Sequence, residues 1–309
     1  MKEIFVNLKR FDVPKMMGGI CPCDSPVEWI QKIVKETIEL GIGKKKDLSL
    51  TYFLPEALLV PAQTVKDQYS QEEAGAFALG CQGVFRQDVK QGGNFGAFTA
   101  NRPAAAIAAL GYEWTMIGHS EERKDKLEIL SCYDEEIAIC EKQYKDAAQT
   151  VETLLNQEVI SALERDMNVL FCIGETEQQK GGDNPKEYEP RVKEVLKAQI
   201  TEGLKGVQKI KGNRKIVIGY EPIWAIGPGK IPPNADYIRF VSDYIKEVCR
   251  EYFKEEFPVV YGGGLKEENA EEIASVESID GGLVALTKFD PPIGFDVESL
   301  KRIVEAYVE

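Results

Sequence analysis

Three ionisable side chains directly follow apolar stretches, at points where buried strands are expected to end: Lys9, His119 and Glu221. A carboxylate can act as a general base, a neutral imidazole can donate a hydrogen bond to a carbonyl oxygen, and an ammonium group can balance developing negative charge. Together these groups suit removal of a proton from a carbon next to a carbonyl group, with the enediolate stabilised in place. Each one alone has a plainer interpretation: a strand-end glutamate, a structural histidine or a solvated strand edge.

His119 is the only histidine in the chain, and it lies between the apolar run 114–117 and the expected start of a helix. The partial positive charge of a helix N-terminus disfavours the imidazolium form. We therefore expect a neutral ring that can donate a hydrogen bond. Glu121 comes two residues later, where a negative charge is favourable in the first turn of a helix.

The segment that begins at Glu221 combines an apolar run, 223–226, with Gly227, Pro228 and Gly229. A solvated surface loop does not need four consecutive apolar residues, so this one is expected to close over a site and exclude water. Pro228 fixes one backbone φ angle and so lowers the conformational entropy of the loop.

These residues require elements that bring distant parts of the chain together. Eight apolar β runs alternate with helical patterns, which is typical of an α/β fold of the (β/α)8 barrel type. The expected strands are 4–6, 48–53, 81–85, 114–117, 169–173, 216–220, 259–261 and a run within 279–286. In such barrels chemistry is found at the C-terminal ends of the strands. We predict one barrel domain over 1–309, with a helical insertion near 124–149.

Composition excludes several classes of function. A net charge of −13 argues against binding to a nucleic-acid backbone. Without a signal segment or a bilayer-length apolar run, we expect a soluble, cytoplasmic protein with no membrane partner. Seven cysteines suggest reduced thiols, and Cys21-Pro22-Cys23 with a single histidine lacks the four ligands of a zinc site. No metal and no organic cofactor are predicted.

Three motifs resemble those of the triosephosphate isomerase family. They are Tyr-Glu-Pro-Ile-Trp-Ala-Ile-Gly-Pro-Gly-Lys at 220–230, Gly-His-Ser-Glu-Glu-Arg at 118–123, and Asn-Leu-Lys at 7–9. The resemblance extends over nearly the whole chain. It implies a (β/α)8 barrel, a cofactor-free aldose–ketose isomerase, and a place in glycolysis and gluconeogenesis. It also implies that Glu221 is the base, His119 the electrophile, Lys9 the balancing cation and Asn7 a residue that orients the substrate.

The same resemblance implies further site residues. Ile226 and Leu283 are expected to shield the glutamate from water, and Gly227 to offer its backbone N–H group to a phosphate. Ser120 and Glu121 are expected to support the site, although Glu121 serves equally well as a charge at a helix start.

The chain departs from the family pattern where the phosphate binds. Gly264 stands at the end of a glycine run where the family has serine, and Ala285 and Leu286 stand where it has two glycines. Their Cβ atoms occupy space that is normally left for close approach, so the phosphate pocket is expected to have moved or changed shape. Glyceraldehyde 3-phosphate and dihydroxyacetone phosphate are the first substrates to test. A four-carbon sugar phosphate such as erythrulose phosphate is the alternative, and a barrel that binds sugar phosphate without turnover is a third possibility.

Two segments bear on assembly. Gly-Ala-Phe-Thr at 96–99 resembles the family loop that reaches into a neighbouring subunit, which implies a homodimer or higher homo-oligomer. In the insertion, Ile137, Cys140, Tyr144 and Ala148 recur at helical spacing. This apolar face either packs on its own barrel or extends a subunit interface.

Overall fold

The computed structural model describes residues 1–227, 229–289 and 291–308. Parallel strands are hydrogen-bonded in chain order and the sheet closes on itself, so the predicted (β/α)8 barrel is confirmed. The strands are β1 (Lys2–Asn7), β2 (Leu48–Leu54), β3 (Phe77–Cys81), β4 (Trp114–Ile117), β5 (Asn168–Ile173), β6 (Ile216–Tyr220), β7 (Val259–Tyr261) and β8 (Gly281–Val284).

Helices follow the strands around the barrel. They are α1 (Pro26–Glu39), α2 (Glu56–Lys66), α3 (Gln71–Ala74), α4 (Ala104–Ala109), α5 (Ser120–Tyr133), α6 (Glu141–Leu163), α7 (Glu177–Lys180), α8 (Pro185–Gly203), α9 (Ala235–Phe253), α10 (Ala270–Ala274) and α11 (Val297–Val308). Within the described ranges, none of them has the length and apolar character needed to span a membrane.

Polar side chains define where several of these helices begin. The Ser25 hydroxyl accepts a hydrogen bond from the backbone N–H of Glu28 at 3.2 Å, and Pro26 occupies the first helical position of α1. Asn234 accepts one from the N–H of Tyr237 at 3.0 Å, at the start of α9. Each side chain satisfies a backbone donor that has no partner within its helix.

The chain divides into two compact units. The first comprises Met1–Gln82, Pro233–Arg239 and Val260–Glu309, and the second comprises Gly83–Pro232 and Phe240–Val259. Asn7 and Lys9 belong to the first unit, whereas His119 and Glu221 belong to the second. The single-domain description stays a prediction.

The third strand lies four residues earlier than expected. It spans Phe77–Cys81, not 81–85, and its buried residues Phe77 and Leu79 alternate with the less buried Ala78. Gly83 then adopts a φ of +151°, which takes the backbone out of the extended path. Phe85, which was predicted to lie in this strand, instead packs edge-on against Phe98, with the two ring centres 5.6 Å apart. Its apolar character reflects packing between loops.

The predicted insertion consists of two helices. Helix α5 continues from the His119 loop to Tyr133, and α6 begins at Glu141 after a single 3-10 turn. Ile137 is buried, and Tyr144 and Ala148 line a cavity of about 260 Å³ together with Leu127 and Val151. Ile137 is therefore covered by its own chain, whereas Cys140, Tyr144 and Ala148 are half-buried. The large apolar side chains of the insertion that face solvent are Ile129, Tyr133 and Ile139.

Candidate active site

His119 caps the N-terminus of α5 and faces Glu221. Its Nδ1 atom accepts a hydrogen bond from the backbone N–H of Glu121 at 3.3 Å, so Nδ1 carries no proton in this arrangement. The proton of a neutral ring must then be on Nε2, which lies 3.3 Å from the Glu221 Oε1 atom. The loop thus sets both the tautomer and the direction of the one N–H group that the ring can donate.

Glu221 is a buried carboxylate at the end of β6. Its side chain is only 5% exposed, and its Oε2 atom makes no hydrogen bond to any described residue. The backbone N–H of Glu221 donates to the carbonyl of Ile173 at 2.8 Å. A Cβ atom at Gly174 would lie 1.8 Å from the Glu221 carbonyl oxygen, so the close approach of the two loops requires glycine there.

Cys172, which was not anticipated from the sequence, is a neighbour of Glu221. The residue is fully buried in β5, and burial, together with the negative charge of Glu221, raises the pKa of its thiol well above the ordinary value. The thiol therefore stays protonated and adds no second charge beside the carboxylate. As one apolar position in a buried strand, Cys172 carried no signal of its proximity to Glu221.

The first turn of the loop after β6 is tied to a second buried glutamate. Trp224 donates its indole N–H to Glu175 Oε1 at 2.7 Å, and the Tyr220 hydroxyl donates to the same atom at 3.0 Å. The Lys180 ammonium lies 4.2 Å from the centre of the Trp224 ring. These contacts hold the base of the predicted lid on the loop after β5. Glu175 was not anticipated from the sequence.

Further along this loop, Ile226 is half-buried and Gly227 is exposed with a φ of +118°. Lys230 lies 3.7 Å from the Glu177 carboxylate. Pro228, which we expect to restrict this loop, lies outside the described residues. The structure thus places Ile226 and Gly227 on the expected loop, and their roles stay predictions.

The two supporting residues lie in the first turn of α5. Ser120 is half-buried and is the first residue of the helix. The Glu121 side chain is 72% exposed, and its Oε2 atom lies 3.9 Å from His119 Nδ1. A carboxylate at this point is favourable because it faces the positive end of the helix.

Asn7 and Lys9 form a second group at the end of β1. Lys9 has a φ of +37°, a left-handed conformation that is strained for a residue with a side chain. Its backbone N–H donates to the Asn7 side-chain oxygen at 2.9 Å. Gln82 donates to that oxygen at 3.1 Å and to the Lys9 carbonyl at 2.9 Å. Gln82, which sequence reasoning assigned to a strand, therefore helps to hold the strained backbone in place.

The residues predicted to bind phosphate follow β7 and β8. Gly264 has a φ of +83°, and its carbonyl accepts a hydrogen bond from Asn269 at 3.1 Å. Leu283 is buried in β8, whereas Ala285 and Leu286 are half-buried just after the strand. The side-chain bulk expected from the sequence is therefore present where the glycine pair of the family pattern would lie.

Comparison with known proteins identifies the family. Residues 34–293 match the family model described as triosephosphate isomerase. A triosephosphate isomerase of Alkaliphilus metalliredigens is 31% identical over 258 residues, covering 82% of this chain and 89% of that protein. One from Oleidesulfovibrio alaskensis is 30% identical over 257 residues, covering 81% and 86%. The crystal structure of triosephosphate isomerase from Bartonella henselae matches 100% of this chain and 99% of its own, with a TM-score of 0.65 at 19% identity.

Because its sequence identity is low, the structural match supports the fold alone. The family model and the sequence relatives carry the assignment, because each extends over most of the chain. The chain therefore belongs to the triosephosphate isomerase family of (β/α)8-barrel isomerases.

Proposed function

We propose that this isomerase interconverts an aldose phosphate and a ketose phosphate through an enediolate, with glyceraldehyde 3-phosphate and dihydroxyacetone phosphate as substrates. One observation carries the proposal. The Nε2 atom of His119 lies 3.3 Å from the buried Glu221 carboxylate, and the hydrogen bond to Nδ1 leaves Nε2 as the donor of a neutral ring. A base and a neutral donor at this separation can act on adjacent atoms of one small substrate.

Glu221 removes a proton from the carbon next to the carbonyl group and returns it to the neighbouring carbon. His119 donates its Nε2–H group to the oxygen on which negative charge develops. The reaction moves one proton and one pair of electrons within the substrate, so it needs no external oxidant or reductant. This division of roles is the known one in triosephosphate isomerases, and it comes to this chain from the family resemblance.

Lys9 and Asn7 act on the same substrate in this proposal. The Lys9 ammonium balances the charge of the enediolate, and Asn7 orients the substrate while its side-chain oxygen holds the Lys9 backbone. A left-handed backbone at a lysine costs free energy, which is consistent with a position retained for function.

The loop after β6 supplies the cover. Ile226 and Leu283 exclude water from the carboxylate, and Gly227 offers its backbone N–H group to the phosphate. A dry site strengthens each electrostatic contact within it.

A four-carbon sugar phosphate is the second candidate, and one observation favours it. Ala285 and Leu286 are half-buried and bring Cβ atoms to the segment where the family pattern has two glycines. A change to a longer substrate would alter the side chains around the phosphate and keep the proposed catalytic residues, which is the pattern seen in this chain.

Parallel turnover assays test these alternatives. The purified protein is offered glyceraldehyde 3-phosphate and, separately, tetrulose phosphates of the erythrulose type, and kcat/KM is compared. A higher value for the triose supports the first proposal, and a higher value for the tetrulose supports the second. Binding of both without turnover of either contradicts both, and indicates a barrel that only binds sugar phosphates.

We also propose that the protein is a homodimer or a higher homo-oligomer through the loop around Gly96–Thr99. Phe95 in this loop is 87% exposed. Hydrogen bonds within the loop hold its conformation. The Asn94 side chain donates to the carbonyl of Asp88 at 3.1 Å and accepts from the N–H of Gly96 at 3.2 Å. An apolar tip on an ordered loop suits insertion into a second copy.

Analytical ultracentrifugation of Phe95→Asp, with Ile139→Glu on the exposed face of the insertion as a matched variant, tests this assembly. We expect Phe95→Asp to lower the particle mass and Ile139→Glu to leave it unchanged. The reverse result would move the contact to the insertion. If the unmodified protein sediments as a monomer, the assembly does not form.

A further inference from the structure

Glu122 makes a contact with the backbone that carries His119. The N–H of Gly118 donates to the Glu122 Oε2 atom at 2.7 Å. Gly118 directly precedes His119, and Glu122 lies in the first turn of α5. The carboxylate therefore reaches back over the helix start to the peptide group just before the catalytic side chain.

Glu122 is held in turn by a partly buried cluster that reaches α6. Its Oε1 atom lies 2.7 Å from the Lys126 ammonium, and Lys126 lies 3.0 Å from Glu158. Burial and the adjacent Glu122 raise the pKa of Glu158 to about 9, so Glu158 is a neutral acid at physiological pH. Burial alone would also raise the pKa of Glu122, but Glu158 and Lys126 hold it below its ordinary value. The cluster thus contains one carboxylate, one ammonium group and one carboxylic acid.

The carbonyl on the other side of Gly118 is fixed as well. Arg123 donates from Nε to the Gly118 carbonyl at 2.7 Å and pairs with Glu152 of α6. Gly118 itself has a φ of +81°, and a Cβ atom there would lie 2.7 Å from the Cys172 carbonyl. Both peptide groups around Gly118 are therefore held by side chains of α5, which are themselves anchored on α6.

We propose that Glu122 is a positioning residue for His119: by fixing the Gly118 N–H group, it sets the backbone from which the imidazole points its Nε2 atom at Glu221. It acts through the backbone and does not touch the substrate. This role rests on the proposed function, because positioning matters for turnover only if His119 acts on the substrate. The competing role is simple attachment of α5 to α6, which stabilises the fold without setting the ring.

The single histidine gives a direct readout of this role. In tag-free protein labelled with 15N-histidine, NMR shifts of Nδ1 and Nε2 report the tautomer and hydrogen bonding of His119 alone. We compare Glu122→Leu, which removes the acceptor, with Glu122→Gln, which keeps an oxygen for the Gly118 N–H. Glu128→Leu, at an exposed position of the same helix, is the matched control.

We expect Glu122→Leu to move the ring-nitrogen signals and to lower kcat about tenfold with KM changed less than about twofold, because small errors in placement cost rate more than binding. Glu122→Gln should restore most of both properties, and Glu128→Leu should match the unmodified protein. Unmoved ring signals in folded Glu122→Leu overturn the proposal, even if its melting temperature falls.

Should Glu122→Leu fail to fold, Lys126→Met tests the same link. It releases Glu122 from its anchor and should move the ring signals in the same direction, and unmoved signals again overturn the proposal. The NMR result does not depend on turnover. If His119→Gln retains full activity, the proposed function fails, while the positioning of the ring is still measured.

Discussion

The loops that follow β4, β5 and β6 differ in construction from those that follow β7 and β8. In the first group, buried side chains bind one another and the backbone: His119 faces Glu221, and Trp224 and Tyr220 share Glu175. In the second group, a left-handed glycine, Gly264, is followed along the chain by the half-buried Ala285 and Leu286. Here the side chains bind the backbone of their own loop: Tyr261 donates to the Gly263 carbonyl at 2.6 Å and Asn269 donates to the Gly264 carbonyl at 3.1 Å. The backbone shape that these bonds fix defines the predicted anion site.

The difference indicates which part of the molecule can change with the substrate. Proton transfer requires heavy atoms within about 3 Å of each other, and the residues proposed to perform it are fixed by several independent contacts. Anion capture by backbone N–H groups depends on local chain shape, which a few side chains can alter. We infer that the chemistry is common to the family while the loops after β7 and β8 set which sugar phosphate is used.

Replacement of the proposed base, Glu221, should have the largest effect. Glu221→Gln keeps the size of the side chain and removes the carboxylate that is proposed to take the proton, so turnover should fall by roughly 10³-fold or more. Exchange of substrate C–H for solvent deuterium, followed by NMR, should disappear with it. Glu177→Gln, at the exposed first residue of α7, is the control and should leave exchange unchanged. Exchange at the unmodified rate in Glu221→Gln would mean that another residue is the base.

Loss of the contact beneath the lid should have the next largest effect. Trp224→Phe keeps an aromatic ring beside Lys180 but removes the hydrogen bond to the buried Glu175. We expect kcat to fall about tenfold because the lid base loses a charge-assisted hydrogen bond. A double-mutant cycle with Glu175→Gln tests the cause, since two residues that share one bond give non-additive changes. Additive changes would show that this bond is not what Trp224 contributes.

Sequence reasoning was most successful where local chemistry decides structure. The strands 216–220 and 259–261 were predicted with the observed bounds, because each is a short apolar run with turn residues nearby. The starts of α1 and α9 have an equally local cause, because the side chains of Ser25 and Asn234 satisfy backbone donors.

What the sequence did not reveal depends on contacts between distant segments. Gln82 was assigned to a strand, yet its side chain binds Asn7 and the Lys9 carbonyl some seventy residues earlier. Glu175 and Cys172 carry no local pattern that distinguishes them from ordinary loop and strand residues. Helix α5 continues through a highly charged segment without a marked apolar face, so helical periodicity does not indicate where it ends.

Substitutions at the predicted phosphate site should have a smaller effect on turnover, and they should change the preference between triose and tetrose phosphates. Ala285→Gly combined with Leu286→Gly removes the Cβ atoms and lets an anion approach the backbone after β8. We expect the ratio of kcat/KM for triose and tetrose phosphates to change at least several-fold, on the scale of about 1–3 kcal/mol for pocket contacts. The two single variants show which residue dominates. An unchanged ratio would place the anion elsewhere in the site.

The smallest effect is expected on stability, at Glu158, which belongs to the cluster that supports the loop after β4. Its pKa lies at about 9 in the folded protein, against an ordinary value of 4.5. Between these values the folded state keeps a proton that the unfolded state has lost. The free energy of unfolding therefore falls as pH rises through this interval, by at most about 1.4 kcal/mol per pH unit from this group, and the decline ends above pH 9.

Glu158→Gln places a neutral side chain at this position at every pH, and its amide oxygen can still accept a hydrogen bond from Lys126. We expect its melting temperature to approach or fall below that of the unmodified protein near pH 5, and to exceed it by a few degrees at pH 8. Thermal unfolding across pH 5–9, with Glu128→Gln as the exposed control, measures this difference. Parallel curves for Glu158→Gln and the unmodified protein would mean that Glu158 is ionised in the folded state. In that case the cluster beneath His119 would carry a second negative charge, and Glu122, which binds the Gly118 N–H group, would be held in place mainly by Lys126.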